Sequence, residues 1–338
     1  MGKVLISQLT PSMKIGNVKI EGIARLAPMA GISNAPFRTV AKECGSGLTT
    51  SEEIDANALI KRSKKTLDDI ANYYPEERPI ALQILGSEKN SLVEGSKILQ
   101  DSGADIIDLN MGCPVPKITK TGRGSAMMRD LKNTSGILCA MRKAIRVPFT
   151  IKIRSGWDEK NLNAVEVAKM AEDIGIDAIT VHPRTRAQRF TGKSNWDVIS
   201  EVVSSVNIPV TGNGDVNSIS EAVKMRNHTN CKSVMIGRAA IGKPWIFDEE
   251  FENLNYEDKY KYKTKIINRH ISLIKNHFSD RVALLQMQRH LSWYAGGQDR
   301  VRSFRVSLFS TKSFDEAINV FDIYWKSLDI NKNLAKVG

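Results

Sequence analysis

At 338 residues, with 41% hydrophobic and 25% charged residues, the chain can bury one large core plus a smaller one and has the composition of a soluble globular enzyme. Its 49 Lys+Arg against 37 Asp+Glu leave +12, the charge balance of a protein with a polyanionic partner. No apolar run approaches the ~18 residues that span a bilayer, and Cys44, Cys113, Cys139 and Cys231 form no C-x-x-C and have no nearby His, which argues against a disulfide framework or a zinc site.

The amino end lacks the basic, apolar and small-residue order of a signal peptide, so a cytoplasmic protein is expected. Short β-rich segments then recur at Arg25–Met29, Leu48–Ser51, Ile80–Leu85, Ile106–Asn110, Phe149–Ile153, Ala178–His182, Pro209–Gly212 and Ser233–Gly237. Helix-patterned stretches lie between most of them, as at Leu92–Asp101, Ala164–Ile174 and Ile219–Met225. Two of these helices stop at a Gly followed by Asp and a new strand, the same punctuation twice. Strand–helix alternation repeated eight times implies an α/β fold, a (β/α)8 TIM barrel. An open doubly wound sheet would place a Gly-rich phosphate loop after its first strand, and Ala30-Gly31-Ile32-Ser33-Asn34-Ala35-Pro36 is not one.

From Asn253 onward no convincing strand follows. Tyr260–Phe278, Arg281–Tyr294, Val301–Phe309 and Phe314–Leu328 read as helices, with a break at Gly296-Gly297. The expected organisation is a barrel over residues 1–252 and an all-helical domain over 253–338. From Phe251 to the end there are 15 basic and 9 acidic residues, so about a quarter of the chain carries half of the charge excess. Lys261, Lys263, Lys265 and Arg269 recur at spacings that can share one helix face, and Arg302 and Arg305 form a second basic pair.

The most informative run is Asp108-Leu109-Asn110-Met111-Gly112-Cys113-Pro114. Gly112 and Pro114 end a buried strand and put an Asn and a thiol at its carboxyl end, where α/β enzymes keep their chemistry. The seventh strand ends in Asn213-Gly214-Asp215 and the eighth in Gly237-Arg238. Such loops bind phosphate in barrels of this class, through close backbone approach and a guanidinium. An inward Lys152 and a buried Gln83 require an electron-rich partner with an amide-like edge. A flavin ring offers one, so these four features together describe bound FMN. Gly122-Arg123-Gly124-Ser125-Ala126-Met127 imitates a dinucleotide fingerprint but lacks its third small residue and its preceding strand. Lys117, Lys120 and Arg123 in that loop could instead face a polyanion.

In this order the motifs resemble the tRNA-dihydrouridine synthases, and most of all their bacterial B-type branch, from about Ile20 to Leu328. The carriers are Leu26-Ala27-Pro28-Met29-Ala30-Gly31, Leu82-Gln83, the Asp108–Pro114 run, Ile151-Lys152-Ile153-Arg154, Val181-His182, Asn213-Gly214-Asp215, Gly237-Arg238 and Arg289-His290-Leu291-Ser292-Trp293-Tyr294. The resemblance implies a barrel with FMN and a helical domain that holds tRNA; a monomer without metal is the accompanying expectation. Pro28, Met29 and Ala30 would line the flavin, Gln83 and Lys152 would bond its ring, and Asn213, Gly214, Asp215, Gly237 and Arg238 would hold its phosphate. His182 is assigned to the cofactor as well. Asn110 would contact the uracil, with Arg184 and Arg186 also on the substrate, and Cys113 would be the general acid. NADPH (or NADH) would reduce the flavin. Pro183, Phe190 and Ser194-Asn195-Trp196 depart from the family pattern. A flavin enzyme acting on free pyrimidines has no need of a basic helical platform, and a non-catalytic RNA-binding protein has no need of Cys113 and Lys152.

Overall fold

The computed structural model describes residues 12–63 and 70–334, with side chains to residue 328. The segment read for a signal peptide lies outside the described residues. The first element is a hairpin, β1 (Met13–Ile15) and β2 (Val18–Ile20), turning at Gly16 with φ +54°. Met13, Ile15 and Ile20 pack on Leu48, Ala81, Ile106 and Ala178, residues at the starts of barrel strands, so the hairpin covers the amino-terminal end of the barrel. The sequence expectation begins at Arg25 and does not contain this hairpin.

The barrel follows in chain order: β3 (Ala24–Leu26), α1 (Ala35–Glu43), β4 (Thr49–Thr50), β5 (Ile54–Asp55), α2 (Ala56–Ile60), β6 (Ile80–Leu85), α3 (Lys89–Asp101), β7 (Ile106–Met111), α4 (Pro116–Thr119) and α5 (Leu131–Ala144). Then come β8 (Phe149–Arg154), α6 (Ala164–Ile174), β9 (Ala178–His182), α7 (Asp197–Ser205), β10 (Val210–Asn213), α8 (Ile219–Thr229) and β11 (Ser233–Ile236). The sheet is parallel in the order β3-β11-β10-β9-β8-β7-β6-β4, with the short β5 also on β6. Leu26 N donates to Leu48 O at 3.1 Å and Gly47 N to Ala24 O at 2.9 Å, which brings the two ends of the sheet together. The architecture is the (β/α)8 barrel that eight-fold alternation predicts. Local chemistry sets the joints: α6 ends on Gly175 at φ +88°, and the Ser218 side chain caps α8 by accepting from Glu221 N.

Register explains the unusual interior. Leu109, Ile151, Ile179 and Val210 align across adjacent strands as an apolar row. The next row is polar: Asn110, Lys152, Thr180, Thr211 and Ser233. Because side chains alternate, the apolar row packs toward the helices and the polar row faces the barrel axis. Arg25 reaches Ser233 Oγ there at 2.8 Å.

A second compact unit begins at Arg238, immediately after Gly237 and ahead of the composition change at residue 252. The reason is aromatic packing: Trp245 lies 5.9 Å from Tyr294 and 5.8 Å from Phe251, which ties residues before 252 to the helices that follow. Those helices are α9 (Tyr256–His277), α10 (Asp280–Tyr294), α11 (Val301–Ser310) and α12 (Phe314–Leu334). The α9 helix starts a turn earlier than its apolar pattern predicts, because Asn255 caps it by accepting from Asp258 N. Trp325 is buried in this unit, stacked on Tyr260 and Phe321, with its N–H on Thr264 Oγ1 at 2.9 Å.

One expectation about α9 is corrected. Lys261, Lys265 and Arg269 are exposed and follow one another at intervals of four, on one face. Lys263, two residues from Lys261, is turned to the opposite side and lies over the Trp245 and Phe251 rings. Arg305 likewise turns inward and donates to Ser292 O at 3.1 Å. Among the described residues no helix is long and apolar enough to cross a membrane, and no group of three or more His, Cys, Asp or Glu could hold a metal ion.

Candidate active site at the carboxyl ends of the strands

Where β7 ends, the Asn110 side chain folds the chain back on itself. Its Oδ1 accepts from Gly112 N at 3.1 Å and Cys113 N at 2.9 Å. Its Nδ2 donates to Gln83 Oε1 at 2.8 Å and to Glu53 Oε2 at 3.0 Å. Both lone pairs and both N–H groups of this amide are therefore used within the protein. Asn110 shapes the turn that carries Cys113, and a contact to a ligand requires exchange of one of these bonds.

Cys113 is half-buried and buttressed from behind. Its carbonyl accepts from Ser125 N at 3.1 Å and Ser125 Oγ at 2.9 Å. Gly124 sits at φ +60°, where a Cβ would come within 2.9 Å of Cys113 Cβ. The Gly122–Met127 run that imitates a nucleotide fingerprint is thus a brace for the thiol, and its Gly is required by close approach. Burial and the neighbouring Glu53 charge push the Cys113 thiol up to about 11, so at neutral pH the sulfur carries its proton. Burial likewise raises the Glu53 carboxyl above its usual range, against the Cys113 hydrogen bond and the Arg123 charge.

Below the turn lies the polar interior. Gln83 Nε2 donates to Asp108 Oδ2 at 2.7 Å, and Thr150 Oγ1 donates to Asp108 Oδ1 at 2.6 Å. Lys152 Nζ donates to Asn213 Oδ1 at 3.1 Å, and Asn213 Nδ2 donates to Met235 O at 2.8 Å. Burial, followed by the Arg154 charge, pulls the Lys152 ammonium down to about 8. One of three Lys152 donors and one of two Gln83 N–H donors are used in these bonds, and Thr211 Oγ1 in the Lys152 row is buried without a partner. This donor set fits a group that presents acceptors and an electron-rich edge to the barrel axis.

At the end of β3, Pro28 and Met29 are half-buried and Ala30 is exposed. A Cβ on Gly237 would stand 3.8 Å from Met29 Sδ, so the ends of β3 and β11 are close. Gly214 has φ +126°, and a Cβ there would meet Ser194 Oγ at 2.5 Å and His182 Cδ2 at 3.0 Å. Gly214 and the side chains of His182 and Ser194 thus lie together. Arg238 follows Gly237 in sequence but belongs to the second unit.

Two assigned residues have other partners than expected. Arg184 is buried, and its guanidinium donates to Thr191 O, Gly192 O, Ser194 Oγ and both Asp215 carboxylate oxygens, at 2.6 to 3.1 Å. With its donors used inside the protein, Arg184 holds the loop after β9 in place. Asp215 also accepts from Ser194 N at 2.8 Å. Its carboxylate therefore serves the loop, leaving only its backbone to face an anion. Desolvation acts to raise the Asp215 carboxyl, but the Ser194 and Arg184 bonds outweigh it and hold the group below its usual range.

Arg186 is half-buried against the Trp157 ring at 4.5 Å, which Arg129 also approaches at 4.6 Å, and its Nε has no partner. Arg123 pairs with Asp55, the residue that caps α2. Arg154 joins the site from β8, donating to Gly112 O at 2.7 Å and to Thr185 O and Arg189 O at 2.9 Å. It links the cysteine turn to the loop after β9. Sequence reasoning missed Glu53 altogether, because its partners are sixty and fifty-seven positions away.

Residues 25–328 match the profile of the family described as Dihydrouridine synthase (Dus). The chain is 36% identical over 300 residues to the tRNA-dihydrouridine synthase B of Pseudomonas putida, covering 87% of this chain and 88% of the relative. It is 34% identical over 321 residues to that of Xanthomonas axonopodis, covering 94% and 96%. A probable tRNA-dihydrouridine synthase of Rickettsia bellii is 35% identical over 298 residues, covering 87% and 91%. Among solved structures, histamine dehydrogenase from Rhizobium sp. 4-9 aligns with a TM-score of 0.55 at 12% identity, covering 78% of this chain and 51% of that one. A 2-naphthoyl-CoA reductase complex aligns with a TM-score of 0.56 at 12% identity, covering 74% and 53%. The chain spans about half the length of these two, and the likeness to them is one of fold.

Proposed function

Because the chain belongs to the dihydrouridine synthase family, we propose that it reduces the C5=C6 bond of particular uridines in tRNA, with FMN as resident cofactor and NADPH (or NADH) as reductant. The observation that carries this reading is the Cys113 thiol, held protonated at the end of β7 beside the Gln83–Lys152 donor set.

When bound, reduced FMN supplies the hydride that goes to C6. Cys113 supplies the proton at C5 from the other side of the base, since a thiol titrating near 11 is in its acid form at neutral pH. Lys152 and Gln83 would hold the flavin ring through their remaining donors, and Pro28, Met29 and Ala30 would line it. Asn213, Gly214 and Gly237 allow backbone approach to the phosphate, with His182 alongside. Asp215 acts on this loop through Arg184, and Arg238 is assigned to the phosphate on sequence alone. Asn110 orients the cysteine turn and exchanges a bond to meet the uracil. Arg186, with an N–H to offer beside Trp157, contacts the nucleic acid. A uridine buried in folded tRNA has to leave its stack to reach this depth. The Lys261–Lys265–Arg269 face of the helical unit suits phosphate contacts that hold the rest of the tRNA.

The test is direct. Gently purified protein should be yellow with non-covalent FMN, NADPH should bleach it, and unmodified tRNA should restore the colour while gaining dihydrouridine. Protein that carries no flavin overturns the reading.

A further inference from the structure

Glu53 lies in the link between β4 and β5 and reaches the cysteine turn through its side chain. Its Oε1 is 4.0 Å from Cys113 Sγ, and its Oε2 accepts from Asn110 Nδ2 at 3.0 Å. Asn110 in turn holds the Cys113 N–H at 2.9 Å. One carboxylate thus contacts both the thiol and the amide that aims the thiol. We propose that Glu53 is the positioning residue of the proton-donating thiol, orienting the Cys113 S–H together with Asn110 and keeping the sulfur protonated between turnovers. This rests on the assignment of Cys113 as proton donor.

The proton balance is simple. In each turnover the S–H bond breaks, the proton forms the new C–H bond at C5, and sulfur keeps the electron pair as a thiolate. A thiolate beside the Glu53 carboxylate places two anions in a half-buried turn, which is unfavourable. The thiolate is therefore short-lived and takes a proton from water, restoring the thiol. Arg154 and Lys152 face Cys113 from β8 and favour the thiolate, so Glu53 opposes them. Around Glu53 itself stand the Arg123 cation, which lowers its carboxyl, and Asp55, which raises it. Without Glu53 burial would still raise the thiol, but the two β8 cations would act on it unopposed, and it would pass to the thiolate at lower pH.

The experiment follows alkylation of Cys113 by iodoacetamide against pH in the flavin-loaded full-length protein, with the modified peptide identified so that Cys139 is not counted. The wild-type midpoint should lie well above the ~8.5 of an ordinary thiol. Glu53→Gln should lower it by about one unit, making alkylation at mildly alkaline pH about tenfold faster. The same variant should slow dihydrouridine formation by the pre-reduced enzyme, while NADPH still reduces its flavin at the wild-type rate. Glu53→Asp, which keeps the charge, should retain the raised midpoint. An ordinary midpoint in the wild type overturns the proposal without any variant. Identical profiles for wild type and Glu53→Gln also overturn it. An active Cys113→Ala would instead defeat the proton-donor assignment, with the alkylation profile still deciding the Glu53–Cys113 coupling.

Discussion

Lys152 Nζ on β8 donates to Asn213 Oδ1 on β10 at 3.1 Å, passing over the strand between them. That bond sets an ammonium at the barrel axis, where burial pulls it down to about 8. Lys152→Met should weaken FMN retention about tenfold to a hundredfold, the effect of a lost hydrogen bond to a charged group. Flavin absorbance after dialysis measures it.

The same lysine gives a signed pH effect on the cofactor-free protein. Its native value near 8 lies below the ~10.4 of an unfolded chain, so between these values the unfolded state binds more protons. The Lys152 contribution to stability therefore rises with pH across that window. Urea midpoints at pH 7.5 and 9.5 (about the two sides of the native value) should show wild type gaining on Lys152→Met. Equal changes in both proteins would place the ammonium in water.

Cys113→Ala should separate the two half-reactions. Flavin reduction by NADPH needs no proton from Cys113 and should persist, while dihydrouridine formation should fall by about 10²–10⁴-fold. Rapid mixing followed at the flavin band, with tRNA added second, resolves the two. A parallel loss in both would make Cys113 a structural or cofactor-contact residue.

Arg184 tests positioning against contact. Arg184→Ala removes the guanidinium from the Asp215 carboxylate, which keeps only its Ser194 bond, and from Thr191 O and Gly192 O, and should cost about 3 kcal/mol of stability in urea unfolding, at the lower end for a broken buried pair because Asp215 is partly exposed. Asp215→Asn should be less damaging, and relative to it the wild type should lose stability as pH falls through the lowered Asp215 value. A variant of unchanged stability with a raised KM for tRNA would return Arg184 to the substrate.

The helical unit should contribute salt-dependent affinity. Reversing Lys261, Lys265 and Arg269 to Glu should flatten the dependence of tRNA affinity on salt, by about 0.7–0.9 in slope for each phosphate contact removed. NADPH oxidation by the flavin should not change. An unchanged slope would move the phosphate contacts to the barrel loops around Lys117 and Lys120.

Strands such as β6, β7 and β9 were legible because each is a short run with β-branched residues closed by Gly or Pro, and β6 and β9 match their expected bounds residue for residue. The β1–β2 hairpin carried a usable signal, apolar residues alternating with Lys14 and Lys19 around Gly16-Asn17. Cys113 and Lys152 stood out because a strand-end thiol and a lysine between isoleucines are costly without a purpose. Glu53, the Gly124 brace and the Arg184–Asp215 clamp did not, since each is defined by a partner distant in sequence. Lys263 was misplaced for a geometric reason: at about 100° per residue, a position two from Lys261 cannot share its face.

The most direct test of the account is dihydrouridine formation on unmodified tRNA in D2O with NADPH as reductant. If Cys113, exchanged with solvent, protonates C5, each new dihydrouridine should carry solvent deuterium at C5, and Cys113→Ala should largely abolish the product. Failure to form dihydrouridine on any tRNA, or deuterium at C5 appearing at an undiminished rate in Cys113→Ala, would contradict it.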